Sequence, residues 1–140
     1  MYCGPQTMAT LRGPPPRSPL SFARPISAPV GDGFGPRGAG FHEGVDFPAP
    51  TGTAVFAAGP GRVETAGYND GFGESVLLAH GSAVETRYAH LSSIAVSPGQ
   101  AVSTGTLVGR VGSTGHATGP HLHFEVISAG ANVNPLTALR

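Results

Sequence analysis

The chain has 140 residues, which is enough for one domain with a substantial core. Its 22 glycines and 14 prolines mark many turns, and short apolar runs between turns favour an all-β domain. Eight arginines balance eight acidic residues and no run of about 18 apolar residues occurs, so the composition predicts no nucleic-acid partner, no binding to anionic membranes and no membrane insertion.

The N-terminal residues have the composition of a linker. Gly13, Pro14, Pro15 and Pro16 are followed by further prolines, which favour extended, solvated backbone and cannot donate to a strand ladder. Residues 1–28 are therefore predicted to form a proline-rich tail or linker that is disordered or loosely packed. The folded domain is expected to occupy residues 29–140.

Short runs with strand character fill the remaining chain. They are rich in Val, Thr, Tyr and Phe, and Gly, Pro, Asn and Asp separate them as turns. Their close spacing favours antiparallel hairpins over βαβ units, with a short helical turn at most in residues 132–140. The strands are predicted at 53–57, 62–66, 75–80, 84–91, 96–102, 106–111 and 121–127. The expected architecture is a compact, mostly antiparallel, sandwich-like β domain with few or no helices.

A His-x-His pair lies in the last of these strands. Side chains alternate between the faces of a strand, so His121, His123 and Glu125 share one face, while Leu122 and Phe124 share an apolar face. Two imidazoles on one face can both bind a metal ion, or divide into one ligand and one proton-transfer group. A half-exposed strand with polar histidines and no chemistry remains open from this pattern alone.

Two further positions carry groups of the same kind. His42 and Asp46 are four residues apart, and both side chains are good zinc ligands, although an exposed loop can carry the same pair. His90 ends the strand 84–91, and regular alternation would place Tyr88 beside it in a groove wall. Catalytic zinc takes three protein ligands and leaves one position open. His42, Asp46 and one histidine of the His-x-His pair could supply them, leaving the other histidine and His90 for acid–base work.

A longer series of motifs links these positions. In chain order they are Phe34-Gly35-x-Arg37, His42-x-Gly44-x-Asp46, Gly52-Thr53-x-Val55-x-Ala57, Gly61-x-Val63, Tyr88-x-His90-Leu91, Val96-x-x-Gly99-x-x-Val102, Gly112-x-Thr114-Gly115 and Thr118-Gly119-Pro120-His121-Leu122-His123-Phe124-Glu125. From about residue 27 to residue 126 the chain thereby resembles the lysostaphin and LytM type of zinc metallopeptidase, which cuts peptidoglycan.

The resemblance implies a β fold of the duplicated hybrid motif type, with a substrate groove across one sheet. It implies one zinc ion (Zn²⁺) held by His42, Asp46 and His123, and it assigns His90 and His121 to catalysis. His80 and His116 fall outside this set and are expected to be structural or solvent-facing.

The resemblance also implies a function and a location. The expected activity is a zinc-dependent endopeptidase that hydrolyses stem-peptide cross-links or cross-bridges of peptidoglycan, acting as a monomer in the cell envelope, either periplasmic or extracellular. The alternative is a non-catalytic LytM-like domain that binds peptidoglycan or activates another hydrolase, but such domains usually lack part of the residue set that is complete here. A biotinyl or lipoyl carrier is excluded, because that function needs an acceptor lysine and the chain has none.

Overall fold

The computed structural model describes residues 21–140, and this part of the chain is built from strands. It contains two short 3₁₀ turns, at Asp70–Phe72 and Pro135–Thr137, and no α-helix is found among the described residues. The strands are β1 (Gly35–Arg37), β2 (Gly40–His42), β3 (Val45–Pro48), β4 (Ala54–Phe56), β5 (Gly61–Asn69), β6 (Gly73–Ala79), β7 (Val84–Ile94), β8 (Ala101–Val102), β9 (Leu107–Val111), β10 (His121–Ser128) and β11 (Ala131–Val133).

One nine-stranded sheet organises the domain. Its main order is β11-β10-β7-β6-β5-β8, and β3 adds to β10 while β9 joins β7 to β4. Strands β1 and β2 form a separate hairpin. All the ladders between these strands are antiparallel, as short hairpin connections require. The all-β, mostly antiparallel architecture predicted from turn spacing is confirmed.

Strand β10 lies between β3 and β7 and carries the centre of the core. Its apolar residues Leu122, Phe124 and Val126 are fully buried, as the alternation of side chains predicts. Strands β3 and β7 pair with the two edges of β10. The polar side chains of β10 therefore lie beside side chains of both neighbours. In residues 21–140 no helix is long and apolar enough to cross a membrane.

The packed region begins earlier than the sequence pattern indicated. Most of the predicted tail, residues 1–20, lies outside the described residues. Within the described part, Phe22 and Ile26 are buried in the core, and the Phe22 amide donates to the carbonyl oxygen of Ala138 at 2.7 Å. The expectation of loose packing up to residue 28 is therefore corrected for residues 21–28, since two apolar side chains anchor a proline-containing segment to the domain.

Tyr88 lies in the core and not in a groove wall, which corrects the expectation from strand alternation. Its hydroxyl accepts from the Ala58 amide at 2.9 Å and pairs with the Thr86 hydroxyl at 2.8 Å. Thr86 in turn bonds His80 Nε2 at 2.7 Å, and His80 Nδ1 donates to the Pro60 carbonyl at 2.7 Å. Since burial lowers the pKa of His80, the neutral ring sets one direction for the whole chain of hydrogen bonds, from the Ala58 amide to the Pro60 oxygen.

This chain of hydrogen bonds predicts a stability cost for Tyr88→Phe. The substitution leaves the buried Ala58 amide and the Thr86 hydroxyl without their shared partner, so we expect a loss of about 1–3 kcal/mol in the free energy of unfolding. Urea unfolding followed by circular dichroism measures it. Tyr68→Phe is the matched control, because Tyr68 is 65% exposed. Equal stability of the two variants would contradict the prediction.

Candidate metal centre and active site

The pairing of β3 with β10 places two candidate ligands opposite each other. Asp46 and His123 are direct partners in this antiparallel ladder, so their side chains rise from neighbouring strands on the same face. His42 ends β2, and a tight connection of two residues returns the chain to β3. Gly44 is required in this connection, because a Cβ atom there would collide with the carbonyl oxygen of Phe124.

The three candidate ligands converge on one point. Asp46 Oδ1 lies 2.9 Å from His123 Nδ1 and 3.3 Å from His42 Nε2, and the three ligand atoms all lie within 4.8 Å of one another. Tetrahedral zinc with bonds of about 2.0–2.2 Å brings its ligand atoms to roughly 3.3 Å from each other. The donor set of two imidazole nitrogens and one carboxylate oxygen therefore fits a zinc ion in both chemistry and spacing.

A buried carboxylate holds His123 from behind. Glu125 is 1% exposed, and its Oε2 lies 2.9 Å from His123 Nε2 while Oε1 accepts from Arg87 at 2.9 Å. The Arg87 guanidinium also covers the ring of Phe72, which stacks near His123 at 6.1 Å between ring centres. A carboxylate on the far nitrogen of a ligand histidine orients the ring and strengthens it as a donor. Alternation along the strand predicted that Glu125 shares a face with the two histidines, but it indicated no role for Glu125.

Backbone carbonyl oxygens set the tautomers of the other three histidines of the predicted site, which are His42, His90 and His121. Nδ1 of His42 donates to Gly33 O at 2.7 Å, Nδ1 of His90 to Thr114 O at 2.7 Å, and Nδ1 of His121 to Gly119 O at 2.9 Å. A carbonyl oxygen can only accept, so Nδ1 carries the proton and Nε2 is left with a free lone pair in each neutral ring.

The rings of His90 and His121 lie beside the metal-ligand cluster. Their centres are 4.9 Å apart, and the His90 ring lies 5.9 Å from that of His123. His90 has a φ of +64°, a left-handed conformation that breaks the alternation of β7 and turns its side chain away from the face of Tyr88. Burial lowers the pKa of His90, which keeps the ring neutral and able to accept a proton.

Opposing effects act on the two groups at the centre. Burial by itself would raise the pKa of Asp46, but the hydrogen bond from His123 and the neighbouring histidines hold it below its ordinary value. Burial would lower the pKa of His123, but hydrogen bonds to Asp46 and Glu125 raise it to about 9. The metal-free centre therefore holds a proton on His123 at neutral pH.

An open groove of about 620 Å³ runs over these residues. It brings together all five site residues predicted from the sequence, and it also contains His116, whose amide donates to Gly71 O at 3.0 Å. His116 was expected to be structural or solvent-facing, and it lines a wall of this groove. The other lining residues are Asp32, Arg37, Asn69, Asp70, Gly71, Phe72 and Thr118.

A His–Asp–His cluster beside two further histidines, in an open groove, is typical of metal-dependent hydrolases. Residues 40–135 match the model of Peptidase family M23, and the chain belongs to this family. The predicted relation to lysostaphin-type metallopeptidases is thereby confirmed.

Known proteins support this family at the level of sequence and fold. The chain is 40% identical over 128 residues to peptidoglycan DD-endopeptidase ShyC of Vibrio cholerae, a match that covers 86% of this chain and 28% of ShyC. A zinc-containing peptidase from Vibrio cholerae superposes with a TM-score of 0.77 and 34% identity, over 81% of this chain and 38% of that one. The catalytic domain of lysostaphin from Staphylococcus simulans superposes with a TM-score of 0.73 and 35% identity, over 78% of this chain and 90% of that one. The chain thus spans less than a third of the length of ShyC.

The role of Glu125 predicts an effect on metal affinity. In Glu125→Gln the acceptor on His123 Nε2 loses its charge and the amide places N–H groups against Arg87, so we expect zinc affinity to fall about 10–100-fold. Competition with a chromophoric chelator measures it. Glu64→Gln changes an exposed carboxylate and should leave the affinity as it is. Unchanged zinc affinity in folded Glu125→Gln protein would contradict the role.

The raised pKa of His123 predicts a pH dependence of metal binding. Below pH 9 the metal must displace a proton from this ring, so the apparent zinc affinity should rise up to tenfold per pH unit between pH 7 and 9. Titration calorimetry in buffers with different ionisation enthalpies should show release of about one proton per zinc at pH 7.5. Binding that is independent of pH over this range would show that His123 is already deprotonated.

Proposed function

We propose that this domain is a zinc-dependent endopeptidase that hydrolyses peptide bonds in bacterial cell-wall peptidoglycan. The observation that carries the proposal is the meeting of two kinds of group in one groove. A three-atom cluster of candidate ligands lies beside two histidines that are held at Nδ1, with ring centres 4.9 Å apart for His90 and His121 and 5.9 Å apart for His90 and His123. Membership of Peptidase family M23 and the likeness to ShyC, which is named a peptidoglycan DD-endopeptidase, support the same activity.

The ligand roles follow from the cluster. His42 Nε2, Asp46 Oδ1 and His123 Nδ1 would hold one zinc ion per domain. Zinc supplies Lewis acidity, which makes water a better nucleophile near neutral pH and polarises the scissile carbonyl. The carbonyl of Gly33 and the carboxylate of Glu125 keep the two ligand histidines in the orientation that this set needs.

His90 and His121 would move the protons of the reaction. Each ring is anchored at Nδ1 by a carbonyl oxygen, so its Nε2 can accept a proton from the attacking water and return it to the departing amine. His121 Nε2 also lies 3.6 Å from Asp46 Oδ1, so His121 lies closer to the candidate ligand Asp46 than His90 does. The Thr114 carbonyl maintains the left-handed conformation that directs His90 to the groove.

The course of the groove favours cleavage inside a peptide. Beyond the cluster the groove continues into a second hollow that shares Asp32, Asp46, Thr118 and His121 with the first, and is completed by Gly31, Pro48, Gly119 and Pro120. Space on both sides of the cluster admits residues on both sides of the scissile bond. An extended peptide with residues on both sides of the scissile bond fits this course.

The remaining features of the proposal concern assembly and location. Residues of one chain supply the whole candidate site, so a monomer has everything that the chemistry needs. A peptidoglycan substrate places the domain in the cell envelope, in the periplasm or outside the cell. The first proposal follows from the site and the second from the substrate.

Digestion of purified peptidoglycan by the zinc-loaded protein tests the function, with the released fragments identified by mass spectrometry. We expect new amine and carboxyl ends, which identify the bond. His90→Ala and His121→Ala should retain zinc and lose about 10²–10⁴-fold in kcat, because each removes a proton-transfer group. His123→Ala should lose both zinc and activity.

His80→Gln is the control for these variants, since His80 lies among the core hydrogen bonds outside the groove and should remain active. Intact peptidoglycan from several wall types, treated with protein that demonstrably holds zinc, would favour a binding or activating role instead.

A further inference from the structure

The groove holds a single permanent cation. Arg37, at the end of β1, is the only arginine among the residues that line either hollow of the groove in the described part of the chain. The anionic groups of the groove are the carboxylates of Asp32, Asp46 and Asp70. Apart from the proposed metal ion itself, the favourable position for an anionic group of a bound ligand in the groove is therefore next to Arg37.

The guanidinium of Arg37 lies at the edge of the ligand cluster. Its Nη1 donates to Asp32 Oδ2 at 2.6 Å and lies 3.8 Å from Asp46 Oδ2. Asp46 thus presents one oxygen to the histidines and the other to Arg37. A ligand group bound by Arg37 would lie next to the reacting centre.

Most of the guanidinium is available to a ligand. Arginine carries five N–H donors in a rigid fork, and the hydrogen bond to Asp32 uses one of them. The side chain of Arg37 is 54% exposed and lines the groove, so other donors are available to a ligand. A metal ion on Asp46 would also reduce the pull of this carboxylate on Arg37, which leaves Asp32 to hold the guanidinium in place.

We infer that Arg37 binds a free carboxylate of the substrate next to the scissile bond, and that Asp32 positions Arg37 for it. This inference rests on the proposed function and narrows its substrate class. The preferred peptide carries an α-carboxylate or a side-chain carboxylate within a residue or two of the cut, and peptides that are neutral there are poorer substrates. The planar fork of arginine matches the two oxygens of a carboxylate, which the point charge of lysine does not.

Matched peptide pairs test the inference. Each pair differs only in a carboxylate or a carboxamide next to the cut, at the C-terminal position in one pair and on the side chain in the other. For zinc-loaded wild-type protein we expect the acid of one pair to exceed its amide by about 10–100-fold in kcat/KM, mainly through KM. In Arg37→Gln the ratio should fall close to one, and in Arg37→Lys it should be intermediate.

Three measurements separate this role from a structural one. Arg110→Gln removes an exposed arginine outside the groove and should keep the wild-type ratio. Asp32→Asn should lower the ratio while the zinc content stays the same. Calorimetric binding of non-cleavable analogues of the acid and the amide should show the same preference without turnover.

Two results would overturn the inference. One is equal cleavage and equal analogue binding of acid and amide by the wild-type protein. The other is an unchanged ratio of kcat/KM between acid and amide in Arg37→Gln. This includes the case where zinc is lost and kcat/KM falls equally for both substrates. Absence of cleavage in every wild-type sample would instead reject the proposed function, and the analogue binding would still decide whether Arg37 selects a carboxylate.

Discussion

The register between β3 and β10 is the constraint on which the candidate site depends. It places Asp46 opposite His123, while the adjacent pairs Phe47 with Leu122 and Val45 with Phe124 are buried in the core. A slip by one residue would turn every side chain to the opposite face of the sheet, which would bury the charged groups and expose the apolar ones. The free energy of core packing therefore maintains the distance between the two candidate ligands, Asp46 and His123.

Irregular backbone brings the remaining histidines to the candidate site. The ladder alone brings together Asp46 and the His-x-His pair, whereas His42 and His90 arrive through a glycine turn and a left-handed residue. Carbonyl oxygens from two loops then set the rings: Gly33, before β1, holds His42, and Thr114 and Gly119, between β9 and β10, hold His90 and His121. The core strands give rigidity and the loops give orientation, which is the division that precise sites need.

Much of this arrangement could be predicted from local patterns. Alternation along residues 121–127 assigned the apolar and polar faces of β10 correctly, since that strand is regular. The same rule failed for Tyr88 and His90, because a positive φ at His90 reverses the direction of its side chain. A histidine in the sequence does not indicate a positive φ. The prediction of loose packing around Phe22 was wrong for a similar reason. Phe22 is buried against a distant part of the chain, and composition does not indicate such contacts. The carboxylate of Glu125 lay on the predicted face, but its partner Arg87 comes from another strand.

The charges of the centre show why it can be ordered before a metal ion arrives. His123 lies between the carboxylates of Asp46 and Glu125, and both hydrogen bonds favour its protonated form. Arg87 and Arg37 lie on the outer oxygens of the same two carboxylates, so the row of charges alternates in sign. A buried carboxylate without such a partner would be costly. A proton on His123 thus stabilises the arrangement that a metal ion would occupy, and binding of the metal would exchange the ion for that proton.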